Sequence, residues 1–226
     1  TSVSASVGRH LETNPMFGHR GIRAGLTVRG LYEMQLRAMI GAARDCVDRG
    51  LSVELDVLVP MVTYQAEVAA IGGMLDRVRS DAFDEPSAAF TCRLGAMIEL
   101  PRACLVAHEL AAHVDFFSFD GSKLTQSVLG VTSENASRFL PAYRNELALV
   151  THDPFAALDP RVFEMMHIAL ERGRKTNATL IAGLCGDLGG SPEAIDACEA
   201  LGLDFVSAPL AMLPGARLAA AQATIR

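Results

Sequence analysis

Short apolar runs rich in β-branched residues alternate along this chain with longer segments of helical periodicity. That alternation restricts the fold more than any single motif. The runs are LSVELDVLVPMV (51–62), GAMIELP (95–101), DFFSF (115–119), TLIAGLCG (179–186) and DFVSAP (204–209). Residues 51–62 first alternate apolar with polar and then become continuously apolar, as a buried parallel strand should. Segments 28–49, 64–79, 102–113, 160–174, 191–201 and 213–224 read as helices. In the first of these, Tyr32, Leu36, Met39, Ala43 and Val47 recur at spacings of three or four and share one face. Ser191, Pro192 and Glu193 open a helix with a capping hydroxyl, a first-turn proline and an acid. Gly50 and Gly173 are placed to end helices in the left-handed conformation. The pattern predicts an α/β fold with a parallel sheet and right-handed crossovers. It supplies about five strand-helix units, where a closed (β/α)₈ barrel needs about eight.

With 226 residues, half of them apolar, the chain can bury a substantial core as one domain spanning 1–226. A net charge of −6 leaves no basic footprint for nucleic acid. No apolar run is long enough to span a bilayer, and TSVSASVGRHLETN at the start lacks a signal peptide's apolar centre. A membrane partner is therefore not expected. Cys46, Cys92, Cys104, Cys185 and Cys198 are odd in number and scattered, which argues for free thiols in a reducing, cytoplasmic setting. His108, His113, His152 and His167 have no metal-ligand spacing, and Met165 and Met166 read as core.

Chemistry in such folds collects where strands end. The run Phe116–Phe119 empties into Asp120, Gly121, Ser122 and Lys123, and the run at 95–98 into Glu99. A carboxylate in so apolar a setting must be paired or metal-bound, because burying it alone is costly. Arg20 and Arg23, set among glycines in GHRGIR, can offer forked hydrogen bonds to a phosphate or carboxylate, or can pair with surface acids. Cys185 ends an apolar run in the glycine-rich turn GLCGDLGG and is either a functional thiol or a packing residue.

These segments resemble the C-terminal barrel of the phosphoenolpyruvate-utilising enzymes: pyruvate phosphate dikinase, phosphoenolpyruvate synthase and enzyme I of the sugar phosphotransferase system. NPMFGHRGIR (14–23) is close to NPMxGHRGxR, GAMIELPRA (95–103) to GTMIExPRA, and FFSFDGSKLTQ (116–126) to FFSxGTNDLTQ. GLCGDLGG (183–190) is similar to GICGEHGG, and GLDFVSAPLAMLPGARLAAAQA (202–223) to the family's barrel closure. The resemblance runs from Asn14 to about Ala223 and corresponds to the later part of a TIM barrel, with the first three or so strands lacking a counterpart. Either the sequence is truncated, or another chain supplies the missing strands, or the fold closes differently. An open sheet exposes edges and apolar surface, so a homo-oligomer or a partner chain that completes the barrel is expected.

By resemblance, Arg20 binds the substrate's phosphoryl group with Arg23 and His19 close by, Glu99 is a Mg²⁺ ligand, and Cys185 delivers a proton to the enolpyruvate carbon. Asp187 keeps a carboxylate where the family has Glu. Gly121, Ser122 and Lys123 stand where the family has Thr, Asn and Asp. The family's second Mg²⁺ ligand has thus become an ammonium, which repels the metal, so no cofactor is expected and Mg²⁺ is disfavoured. Three readings of Lys123 remain. It stands in for the cation beside Glu99, it acts as a base or Schiff-base nucleophile, or the site has decayed. Ser133 replaces an arginine expected to contact phosphate. The phosphohistidine signature and the nucleotide-grasp domain are absent, so this chain by itself is expected to be neither a dikinase nor a synthase. Three functions follow: metal-independent enolate chemistry on a pyruvate-, oxalate- or phosphoenolpyruvate-like oxyacid, a degenerate barrel that binds or assembles without catalysis, or one part of a split enzyme.

Overall fold

A computed structural model describes residues 16–83 and 88–225. Asn14 and Pro15, the first residues of the NPM motif, lie outside the described residues. Five strands, β1 (Val53–Val59), β2 (Phe90–Ile98), β3 (Phe116–Asp120), β4 (Ile181–Cys185) and β5 (Phe205–Val206), form one sheet in sequence order. Every pairing is parallel. Helices α1 (Ile22–Thr27) and α2 (Leu31–Asp48) precede the sheet, and α3 (Gln65–Ala82) connects β1 to β2. Two short helices, α4 (Pro101–Leu105) and α5 (Ala107–Ala111), lead to β3. After β3 come α6 (Gly121–Leu129), α7 (Ser133–Ala136), α8 (Leu140–Asn145) and α9 (Pro160–Thr176). Between β4 and β5 lies α10 (Pro192–Leu201), and α11 (Leu213–Ile225) follows β5. Among the described residues no helix is long and apolar enough to cross a membrane.

The period of two along each strand separates two faces. Val57, Val59, Leu94, Ala96, Ile98, Phe117, Phe119, Ala182 and Leu184 are buried in one core with Leu36 and Ile40 of α2, Ile71 and Leu75 of α3, and Met166 of α9. The opposite face begins polar: Arg93 lies in register with Asp56 and grips its carboxylate at both oxygens, at 2.6 and 2.9 Å. Higher on that face the Phe116 ring lies over Gly95 and the Phe205 ring over Gly183. A β-carbon at either glycine would fall within 2.5 Å of the ring. Ser118, Asp120 and Cys185 occupy the end of this face.

Several expectations hold and several are corrected. Gly50 takes a left-handed φ of 80° just past α2, and the Ser191 hydroxyl accepts the Ala194 N–H at the start of α10. Gly173 does not end a helix. It is buried inside α9, where a β-carbon would stand 2.7 Å from Leu180 and 2.8 Å from Phe117, so its smallness serves helix-sheet packing. The segment 102–113 breaks at Val106 into two helices, and the helix expected from residue 28 begins only at Leu31, after a turn at Gly30, φ 77°. Strand β2 begins at Phe90, earlier than the apolar run suggests, because Asp56 neutralises the arginine that interrupts it. Among the described residues β1 and β5 each pair on one side only.

Candidate functional site

Glu99 follows the last residue of β2 and is 1% exposed. The burial is compensated on both oxygens. Its Oε1 accepts the Met61 N–H at 2.6 Å, and its Oε2 faces the Arg20 guanidinium and the Lys123 ammonium, each at 3.4 Å. Met61 reaches Glu99 by adopting a φ of 63°, in a left-handed region that non-glycine residues occupy at some cost. Arg20 is delivered by a backbone clasp. The Ile22 N–H donates to the Pro60 carbonyl, and Gly21, φ 56°, lies so close that a β-carbon would be 2.9 Å from that oxygen. The end of β1 thus supports both the carboxylate and its guanidinium partner.

Asp120, the last residue of β3, caps α6: its Oδ1 accepts the Lys123 N–H at 3.0 Å. Its Oδ2 lies 3.0 Å from Lys123 Nζ. One turn of helix therefore folds the lysine back over its own cap and points the ammonium between Asp120 and Glu99. Burial works to lower the Lys123 pKa, but the hydrogen bond to Asp120 and the charges of Asp120 and Glu99 outweigh it, and the net direction is upward. The two carboxylates thus favour the charged form of this side chain. The ammonium lies 3.4 Å from Glu99 and 3.0 Å from Asp120, in the space between the two carboxylates. No group of three or more His, Cys, Asp or Glu placed to hold a metal occurs among the described residues.

Cys185 ends β4 in register with Asp120 on β3. Burial pushes its thiol pKa up, a hydrogen bond with Ser118 opposes this, and the nearby charges of Asp120, Lys123 and Glu99 are also felt. Arg20, Glu99, Asp120, Lys123, Ser118 and Cys185 therefore share one end of the sheet. The other sequence candidates are placed differently. Arg23 donates to the carbonyls of Phe17 and Gly18 and so braces the loop that carries Arg20. His19 lies against the Thr27 hydroxyl. Arg102 donates to the Thr63 carbonyl and stacks on Tyr64, leaving Arg20 as the arginine that pairs with Glu99. Ser122 is half-buried beside Lys123, whereas Asp187 is exposed in the turn after β4 with no hydrogen-bond or ion-pair partner among the described residues. Gly121 is buried against Leu188, Leu184 and Leu158.

The sequence profile described as "PEP-utilising enzyme, PEP-binding domain" matches residues 5–225. The chain belongs to that family. It is 42% identical to pyruvate, phosphate dikinase of Rhizobium meliloti (strain 1021) over 95% of this chain and 24% of the relative. It is 39% identical to the chloroplastic pyruvate, phosphate dikinase 1 of Oryza sativa subsp. japonica over 97% of this chain and 23% of the relative. The chain thus spans about a quarter of the length of these curated relatives. Among solved structures, a citrate lyase from Burkholderia xenovorans LB400 is similar at 13% identity and a TM-score of 0.49, over 72% of this chain and 48% of that one.

Against the family pattern FFSxGTNDLTQ, Asp120 stands at the glycine and Lys123 at the aspartate. The carboxylate has moved back one helical turn and an ammonium has taken its place, and the two changes meet in one ion pair. The sequence places Asp120 at a strand end but points to no role for it. The usable signal was an acid three residues before a lysine at a strand-to-helix turn, where an N-cap belongs. A second pair of departures also touches: Gly121, where the family has Thr, abuts Leu188, where dikinases have His. A β-carbon on Gly121 would lie 3.0 Å from the Leu188 side chain. Gly121→Thr is therefore expected to destabilise the domain by about 1–3 kcal/mol, with much of the loss recovered when Leu188→Ala is added. A double-mutant cycle by urea denaturation that gives additive effects would show that the two positions are not coupled.

Proposed function

We propose that this domain binds a pyruvate-like oxyacid at the end of the sheet and interconverts its keto and enolate forms without a bound metal. The observation that carries the reading is the Lys123 ammonium lying between the Glu99 and Asp120 carboxylates, 3.4 and 3.0 Å away. In this reading the outward-facing N–H groups of Arg20 hold the substrate carboxylate. The Cys185 thiolate takes a proton from the carbon beside the carbonyl. The electrons of that C–H bond form the C=C bond, and the carbonyl π electrons move onto oxygen. Lys123 donates a hydrogen bond to that oxyanion, and the Cys185 thiol returns the proton in the reverse direction. Family membership and the dikinase relatives support the oxyacid class.

Calorimetry with oxalate and pyruvate, in EDTA and in excess Mg²⁺, tests the role given to Lys123. Binding of equal strength in both is expected, together with its loss in Lys123→Met. Binding that requires Mg²⁺ would refute the substitution of ammonium for metal. Because the Cys185 thiol is pushed up, proton exchange should climb with pH through neutrality without levelling off below the ordinary thiol pKa.

The single-sided pairing of β1 and β5 favours a complementary reading, in which further polypeptide, from another copy or a partner chain, completes the sheet. Light scattering on the purified chain measures this directly. A monodisperse monomer that still binds oxalate would exclude a need for completion.

A further inference from the structure

We infer that the site selects 2-oxo monocarboxylates and rejects their phosphate esters, and that Asp120 sets this selectivity. The inference rests on the oxyacid reading above and concerns which oxyacid is taken. Two cations, Arg20 and Lys123, face two carboxylates, Glu99 and Asp120, so the cluster is neutral before any ligand enters. A monoanion leaves the site with one uncompensated charge, whereas a phosphorylated enol acid, carrying about three negative charges at neutral pH, leaves three. The neighbouring arginines direct their hydrogen bonds elsewhere, Arg23 to the carbonyls of Phe17 and Gly18 and Arg102 to the Thr63 carbonyl, with its guanidinium over the Tyr64 ring.

The count of free donors leads to the same class. Lys123 has three N–H groups, of which two are directed to Asp120 and Glu99, leaving one. Arg20 has five, one directed to Glu99, and its side chain is 36% exposed, so its remaining fork is open. A planar fork beside a single N–H matches a carboxylate and the adjacent oxo oxygen. Gly121, Leu188, Leu184 and Leu158 pack together at the start of α6.

Asp120 is the member of the cluster whose charge can be removed with least disturbance. In Asp120→Asn an amide oxygen can still accept the Lys123 N–H at the helix cap, while the cluster gains one unit of positive charge. The test is metal-free calorimetry of pyruvate and phosphoenolpyruvate against the wild-type chain and Asp120→Asn. The wild type is expected to bind pyruvate at least about tenfold more tightly than phosphoenolpyruvate, since one charge at contact distance is worth that much or more. Asp120→Asn is expected to strengthen phosphoenolpyruvate binding by about tenfold or more and to change pyruvate binding by less. Wild-type phosphoenolpyruvate binding as tight as that of pyruvate would overturn the selectivity whether or not the variant folds. An unchanged ratio in a folded Asp120→Asn would overturn the role of Asp120. Failure of both ligands to bind would instead remove the oxyacid reading itself, and the selectivity with it.

Discussion

Cys185→Ala is expected to slow exchange of the pyruvate methyl protons with solvent by about 10²–10⁴-fold, the range for losing a positioned general acid-base group. Oxalate binding should change little, because the cysteine contributes no charge to the Arg20–Glu99–Asp120–Lys123 cluster. The separation of the two effects distinguishes a proton carrier from a packing residue. Cys185 lies on the strand beside Asp120, hydrogen-bonds Ser118, and is held mainly as the thiol by burial. It can therefore give up a proton at neutral pH, while the small thiolate fraction limits the rate of proton removal. Deuterium incorporation followed by NMR measures the exchange, and calorimetry with oxalate measures the binding. Equal losses in both would mean that the variant has disturbed the site as a whole. Unchanged exchange would eliminate Cys185 as the proton carrier and favour the non-catalytic alternative.

Gly189→Ala is expected to be the most damaging of the single-methyl insertions. A β-carbon there would meet the Ser207 carbonyl oxygen at 2.4 Å and its carbon at 3.1 Å, with the Leu184 carbonyl at 3.6 Å. These are backbone atoms, so no rotamer change relieves the contact, and the segment after β4 or the one after β5 must move. About 3 kcal/mol of destabilisation follows, or a melting temperature lower by roughly 6–12 °C for a chain of this size. Gly41→Ala is the control. Gly41 lies in α2 with nothing within 4 Å of its added β-carbon, and alanine there should stabilise by up to about 1 kcal/mol. Thermal denaturation of both variants therefore tests opposite signs of one substitution. Matching shifts would mean that the packing at Gly189 does not govern its cost.

The parts of the fold that were legible in sequence are those set by local periodicity. Strands β1 and β4 lie inside their apolar runs, β3 runs one residue past its own, and the helix capped by Ser191 starts where its signature places it. The early onset of β2 was illegible because Arg93 is tolerated there only through Asp56, which lies 37 residues away in sequence and directly opposite in register. Gly173 misled for a related reason. A glycine that permits a left-handed turn and one that admits a close neighbour look identical in sequence, and here Leu180 and Phe117 supply the neighbour.

The same division holds for the site. The family, the parallel strand-helix order and the placement of Glu99, Lys123 and Cys185 at strand ends all follow from periodicity and contiguous motifs. What those residues meet is set by the folded chain. It brought Met61 to Glu99 through a left-handed turn, set Asp120 beside Cys185 across two strands, and closed the Lys123 ammonium between two carboxylates. Such contacts depend on register and backbone direction, which no local pattern encodes.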